Sequence, residues 1–397
     1  MTGSRTFRSL SALALAALLL SACGDDGGGE TPTGSGQTGD QRTYAIAYVG
    51  PLTGDYANLG INIRNGAKAA VQEANKGDGP KIELKEFDTQ GDSAQATTLK
   101  ERFINDQSII GLVGPTFSGE TRAVLQPLQE AGLVMVSASA TNAELPTAVP
   151  NQTVFHRLVP DDNIQGKGLT DYVIKKLAPR RAAYVDDNSE YGKGLADGTR
   201  KLLEGAGVQT VANDSVDPRS QDFSAVVNRL RAANADLIFY GGYYSDAGRL
   251  RKQLVDAGVR VRFLSGDGAL DPGFITAAGA AASEGVIITC ACRLATEDAG
   301  GKLGEFAKTY REVNSAGAGT YSTEGFDAAN ILIKGIREGK TDRRALVDYV
   351  ENLGTYAGVG KEIAFEPNGN IRSTGVFVYE VKGGKLALLG TAEELAR

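Results

Sequence analysis

The sequence predicts an α/β protein made of two doubly wound lobes, each a mostly parallel sheet with helices on both faces. Three observations carry that prediction. From Tyr44 onward, short β-rich apolar runs alternate with helical patterns of roughly 10–15 residues, the grammar of parallel strands. That grammar runs twice along the chain, although no close sequence repeat accompanies it. The chain also has 397 residues, 42% hydrophobic and 23% charged, which is enough for two lobes and too polar for a polytopic membrane protein.

In order, residues 1–22 read as an export signal. Arg5 and Arg8 precede an apolar run from Leu10 to Leu20, too short to span a hydrocarbon core of roughly 30 Å at about 1.5 Å rise per residue. The run ends in Leu20-Ser21-Ala22-Cys23, which resembles the lipobox of bacterial lipoproteins; that resemblance implies cleavage before Cys23 and a diacylglyceryl anchor on its thiol. Residues 23–42 then read as a lipidated Cys and a Gly- and Asp-rich tether reaching on the order of 25 Å.

The body follows. Tyr44–Val49 is a strand, Asn58–Asn75 a helix and Lys81–Phe87 a strand, and Asp92 caps a helix to Asp106. Ile109–Val113 is a continuous apolar strand, Ser118 is placed to cap the next helix, and Leu133–Val136 is a buried strand. The second round gives Arg181–Val185, a helix from Tyr191, Val208–Ala212, and a helix near Asp222–Ala233 whose Phe223, Val226, Val227 and Leu230 share a face. Leu237–Tyr240 is a strand, with Leu250, Leu254 and Val255 marking the helix behind it. Helices at Gly301–Asn314 and Ser322–Glu338 and β-rich runs at Lys361–Phe365, Gly375–Val381 and Lys385–Leu389 close the chain.

Composition removes several function classes. The net charge of −6, from 42 Lys and Arg against 48 Asp and Glu, gives no basic footprint for nucleic acid. A single His and three Cys leave little for a His-based metal site or a His-dependent triad, and no nucleophile elbow, Walker loop or zinc-protease motif is present. No cofactor or metal is expected. His156 reads as structural, and Asp161 and Asp162 as the start of a helix. Cys290-Ala291-Cys292 has the wrong spacing for a metal or redox motif; a local disulfide and two free thiols both remain open.

Ligands of open parallel sheets bind beyond the carboxyl ends of the strands. Five segments occupy that position: Gly114–Gly119, Ser137–Thr141, Asp186–Gly192, Phe239–Tyr244 and Ser265–Gly268. Each alone reads as a turn or a plain helix cap. Together they supply an anion site at a helix start, two aromatics and an acid, a set suited to a zwitterion.

Gly50-Pro51-Leu52-Thr53-Gly54, Val113-Gly114-Pro115, Tyr191-Gly192-Lys193-Gly194-Leu195-Ala196, Asp222-Phe223-Ser224, Phe239-Tyr240-Gly241-Gly242-Tyr243 and Glu284-Gly285-Val286 come in an order that is similar to the branched-chain amino-acid-binding proteins of ABC transporters, the periplasmic-binding protein type 1 fold. The similarity covers nearly all of residues 43–397. It implies two Rossmann-like lobes joined by a three-strand hinge, lobe 1 at 43–159 plus 293–374 and lobe 2 at 160–292 plus 375–397. It further implies that Ser118 and Thr141, helped by the Ser139 backbone, bind the ligand α-carboxylate. Asp267 pairs with the α-ammonium, Tyr191 and Tyr243 line the second lobe, and Tyr321 reaches the ligand from the first. Leu59 and Phe117 line the side-chain pocket; relatives carry an aromatic at the place of Leu59, so the preferred side chain stays open.

The resemblance implies a monomeric, lipid-anchored extracytoplasmic protein that delivers an amino acid, branched-chain or otherwise aliphatic, to a membrane permease, and not an enzyme. A sensory binding lipoprotein of the same fold, for amides, urea or another small polar ligand, is the alternative.

Overall fold

The computed structural model describes residues 42–397; the export signal, Cys23 and nearly all of the tether lie outside the described residues. The first layer of elements is β1 (Thr43–Gly50), α1 (Ala57–Lys76), β2 (Lys81–Asp88), α2 (Ser93–Asn105), β3 (Ile109–Val113), α3 (Ser118–Ala131), β4 (Val134–Ser137) and β5 (Phe155–Arg157). Its five strands pair in the order β2-β1-β3-β4-β5, all parallel.

A second round follows with α4 (Asp162–Lys176), β6 (Arg181–Asp186), α5 (Glu190–Gly205), β7 (Gln209–Ser215), α6 (Ser224–Ala233) and β8 (Leu237–Gly241). It continues through α7 (Tyr244–Asp256), β9 (Arg262–Ser265), α8 (Pro272–Ala278), α9 (Ala280–Ser283) and β10 (Ile287–Cys290). These strands pair in parallel as β7-β6-β8-β9-β10, the same order as in the first sheet. The two rounds are thus one topology used twice, each with its switch point between the first and third strands, where a crevice opens beyond the strand ends.

The chain then returns. Helix α10 (Gly301–Asn314) packs against α1, helices α11 (Ser322–Arg337) and α12 (Arg343–Glu351) cover the first sheet, and the short pair β11 (Tyr356–Ala357) and β12 (Glu362–Ile363) follows. Strands β13 (Phe377–Lys382) and β14 (Lys385–Thr391) extend the second sheet antiparallel beyond β10, and α13 (Ala392–Ala396) ends the chain. The polypeptide therefore passes between the two sheets three times: after β5, after β10 and before β13.

Local chemistry accounts for the helix starts. Asp92 Oδ1 accepts from the Ala94 and Gln95 amides, Asp161 from Ile164, Asp342 from Ala345, and Ser189 Oγ from Gly192. The expectation for Ser118 is corrected: α3 is capped at Phe117, and Ser118 is its first helical residue. Glu120 supplies the missing cap by accepting from the Phe117 amide at 2.8 Å, which frees the Ser118 hydroxyl for other work.

Candidate functional site

The loops after β3, β4, β6, β8 and β9 converge with the starts of α1 and α11 on one narrow cavity between the sheets. Leu59, Phe117, Ser118, Ser139 and Tyr321 line it from the first sheet's side, and Tyr191, Tyr243, Asp267 and Gly268 from the second. The space is narrow, about 220 Å³ counting the gaps between side chains, with an accessible centre of about 10 Å³ that suits one water-sized group. A much wider groove opens beside it, sharing Phe117 and Tyr243 and lined further out by Asp55, Arg122, Asp187, Glu190 and Arg219.

Asp267 is the chemical centre of the cavity. It is buried on the loop after β9 and accepts from Tyr191 Oη at 2.9 Å, from Gln165 Nε2 at 2.5 Å and from the Tyr321 hydroxyl. Burial raises its pKa, and these three donors partly offset that. Its own backbone N–H adds to that offset, and none of these neutral donors pairs its charge. Tyr321 reaches Asp267 from an αL backbone, φ 66°, at the cap of α11. That conformation is costly for a bulky residue and is held here by burial of the ring.

The two aromatics of the second sheet are placed by glycine. A Cβ on Gly192 would lie 2.5 Å from the Gly241 carbonyl oxygen, and one on Gly241 2.1 Å from that of Gly192. Only glycines let the start of α5 meet the end of β8 this closely. The result sets the Tyr191 and Tyr243 rings 5.3 Å apart and the Phe117 and Tyr243 rings 4.3 Å apart across the cleft.

On the opposite wall, Ser118 Oγ accepts from the Asn142 amide at 3.1 Å, so its own hydrogen remains to be donated. Ser139 lines the cavity, but its hydroxyl is spent on the Thr116 carbonyl at 2.6 Å. Thr141 stands apart from the other eight sequence-derived residues. It is fully buried behind the lining, its Oγ1 without a well-directed partner, alongside the carboxylate of Asp162. Arg157, fully buried, straps this loop by donating from Nη1 to the Ala140 and Asn142 carbonyls at 3.1 and 2.8 Å.

Other contacts tie the two sides together. Tyr56 Oη donates to Asp246 Oδ2 at 2.6 Å, Asn58 Nδ2 to Asp271 Oδ1 at 2.8 Å, and Arg122 forms an ion pair with Glu190 at 2.6 Å. Burial raises Asp187 to about 7 in the groove wall, where its Oδ2 has no hydrogen-bond partner among the described residues. Cys290 and Cys292 are joined by a disulfide. His156 is buried against Phe365, and burial lowers its pKa to about 4, so it stays neutral.

Sequence reading missed Gln165, Arg157, Asp162 and Tyr56. Asp162 was visible only as part of an Asp-Asp helix start. Gln165 and Tyr56 find their partners, Asp267 and Asp246, 102 and 190 residues away, and Arg157 reaches back from β5 to the loop after β4, contacts with no local signature.

Comparison with known proteins agrees with this architecture. A family model described as periplasmic binding protein matches residues 43–385. The chain is similar to the Leu/Ile/Val-binding protein homolog 3 of Brucella melitensis, 33% identical over 306 residues that cover 76% of this chain and 81% of the relative. It is also similar to the Leu/Ile/Val-binding protein BraC3 of Rhizobium johnstonii, 30% identical over 351 residues, 86% of this chain and 92% of the relative. The crystal structure of the branched-chain amino acid transporter substrate binding protein LivJ from Streptococcus pneumoniae, in complex with isoleucine, superposes with a TM-score of 0.79 at 23% identity, covering 88% of this chain and all of that one. At that identity the likeness speaks to the fold. With the family matched over most of its length and relatives at 30% identity or more covered over most of theirs, the chain belongs to the periplasmic binding protein family, alongside the Leu/Ile/Val-binding proteins.

Proposed function

We propose that this chain is the extracytoplasmic solute-binding component of an ABC importer, and that it captures an aliphatic, in the first instance branched-chain, L-amino acid between its lobes. The observation that carries the proposal is Asp267, buried on one side of the cavity among neutral donors, facing the unspent Ser118 hydroxyl and the start of α3 on the other side. An acid on one wall and a hydroxyl beside a helix N-terminus on the other suit an ammonium and a carboxylate on one carbon. Leu59 and Phe117 offer an apolar surface to the side chain. The names of the Brucella and Rhizobium relatives point to the same ligand class.

The mechanism follows from the size of the cavity. Room for one water-sized group does not admit an amino acid while Phe117, Tyr243 and Tyr321 stand as they do. The lobes, divided near 159/160, 292/293 and 374/375, must therefore part at the three crossovers to take the ligand and close over it. Closure is favoured only by contacts absent in the open state, and a ligand bridging Asp267 and Ser118 supplies them. A buried zwitterion must have both charges satisfied, so the site discriminates against analogues lacking either group.

We place the protein outside the cytoplasmic membrane, anchored through Cys23 and presenting the ligand to a permease as a monomer. A thermal-shift panel of L-amino acids tests the ligand class. At ligand 100-fold above its dissociation constant the stabilisation is about 2.7 kcal/mol, so leucine, isoleucine or valine should raise the melting temperature, and a flat panel defeats the assignment. Cys23→Ser should move the protein from the membrane to the soluble fraction; retention in the membrane fraction counts against the anchor.

A further inference from the structure

One of the hydrogen-bond chains that end on Asp267 begins at the disulfide-bonded turn. Gln165 lies in the first turn of α4, fully buried, just after the first crossover. Its Nε2 donates to Asp267 Oδ1, and its Oε1 accepts from the Ala291 amide at 3.0 Å. Ala291 is the one residue enclosed between Cys290 and Cys292, whose Cα atoms stand 4.9 Å apart across their disulfide at the second crossover. The turn is held from the other side as well. The Ala291 carbonyl accepts from Lys361 Nζ at 3.4 Å, and Lys361 forms an ion pair with Glu324 at 2.8 Å. The Cys292 carbonyl accepts from Tyr379 Oη at 3.4 Å.

Direction matters in this chain of contacts. A backbone N–H can only donate, so the Ala291 amide obliges the Gln165 oxygen to face it and turns the NH2 group toward Asp267. The acceptor-only carboxylate selects the same orientation, so without the Ala291 amide Gln165 is held from one end only and loses its fixed place beside Asp267. An ionised Asp267, oriented by a donor on Oδ1, is what a ligand ammonium requires.

We propose that the Cys290–Cys292 turn is a positioning element of the ligand site, holding the Ala291 N–H against Gln165 so that Gln165 presents its NH2 group to Asp267. The proposal rests on the reading of Asp267 as the partner of the ligand ammonium. It assigns the disulfide a part in recognising the amine, at a crossover that must bend as the lobes close. A disulfide that only stabilised the fold would change the melting temperature and leave selectivity for the amine untouched.

Calorimetric titration of the full chain with L-leucine and with 4-methylpentanoate, its counterpart lacking the amine, gives a ratio of dissociation constants that reads this selectivity. Gln165→Met keeps the volume and removes both hydrogen bonds; the ratio should fall about tenfold, the worth of a bond to a charged group. Cys290→Ser/Cys292→Ser should lower the ratio in the same direction by a smaller factor and add nothing when Gln165 is already Met. An unchanged ratio in the double serine variant, or a fall that persists on the Gln165→Met background, overturns the proposal. If circular dichroism shows the serine variant unfolded, the wild-type protein held reduced by a dithiol takes its place, with the same two outcomes. Asp267→Asn separates the two layers: a ratio it leaves intact, or no binding of L-leucine by the wild type, defeats the ammonium reading itself.

Discussion

Glu120 shows how much of this protein's pH response is set by single buried acids. It is fully buried in the first turn of α3, Oε1 accepting from the Thr89 hydroxyl and Oε2 from the Phe117 amide, and burial raises its pKa to about 7 from 4.5. An acid whose folded pKa is raised binds more protons in the native state than in the unfolded chain between those two values. Its contribution to stability is therefore intact below about pH 4.5 and is lost as pH rises through 7, by up to about 3 kcal/mol at 1.36 kcal/mol per pKa unit. Glutamine can keep both contacts, its oxygen accepting from Phe117 and its NH2 donating to Thr89. Glu120→Gln should thus melt with wild type at pH 5 and a few degrees above it at pH 8; melting curves that stay superimposed at both pH values contradict this account. Asp187, raised by burial to about 7, adds a contribution of the same sign.

The same scale shows what sequence could and could not reveal. Asp161 and Asp162 are adjacent and chemically identical, and both read as a helix start. Asp161 does that work, while Asp162 is buried with neither oxygen in a well-directed hydrogen bond. Nothing local separates them, because the difference is which side of the first helical turn faces the loop after β4. Gln165 is invisible for a similar reason: its partners Asp267 and Ala291 lie 102 and 126 residues away. The residues that sequence did bring forward, such as Tyr191, Tyr243 and Asp267, stand beside glycines at strand ends, where turn chemistry leaves a local mark.

At the scale of elements, the packing of α1 against α11 depends on two glycines. A Cβ on Gly66 would lie 2.2 Å from the Ser322 carbonyl oxygen, and one on Gly325 2.3 Å from that of Ile63. Alanine in mid-helix gains about 1 kcal/mol of helix propensity over glycine. Here it would strike the backbone of the facing helix, which no rotamer change relieves, and overpacking costs about 1–3 kcal/mol. The clash should win, so Gly66→Ala is expected to lower the denaturant midpoint, and an unchanged or raised midpoint would show that the helices can slide apart. Because Tyr321 is the N-cap of α11, such a slide would also displace the ring that donates to Asp267. Most elements were legible from periodicity and caps, with ends differing by up to three residues from the runs first marked, as at β7. The start of α3 was misread because a serine after a Gly-Pro turn looks like a cap, whereas Glu120 caps the helix from within.

For the whole molecule, the repeated strand order places two switch-point crevices face to face, and three crossovers connect the two sides. Sequence grammar showed two rounds of strands and helices. That the rounds share one topology, and that the last two strands return to the second sheet, are matters of long-range pairing with no local signature. The central claim is that the cleft grips both charges of an amino acid, one from each side. It is tested most directly by the thermal shift of the wild-type protein with L-leucine, with 4-methylpentanoate lacking the amine, and with isopentylamine lacking the carboxylate. The account predicts a clear rise in melting temperature with L-leucine and little or none with either analogue at the same concentration; an equal rise with all three would contradict it.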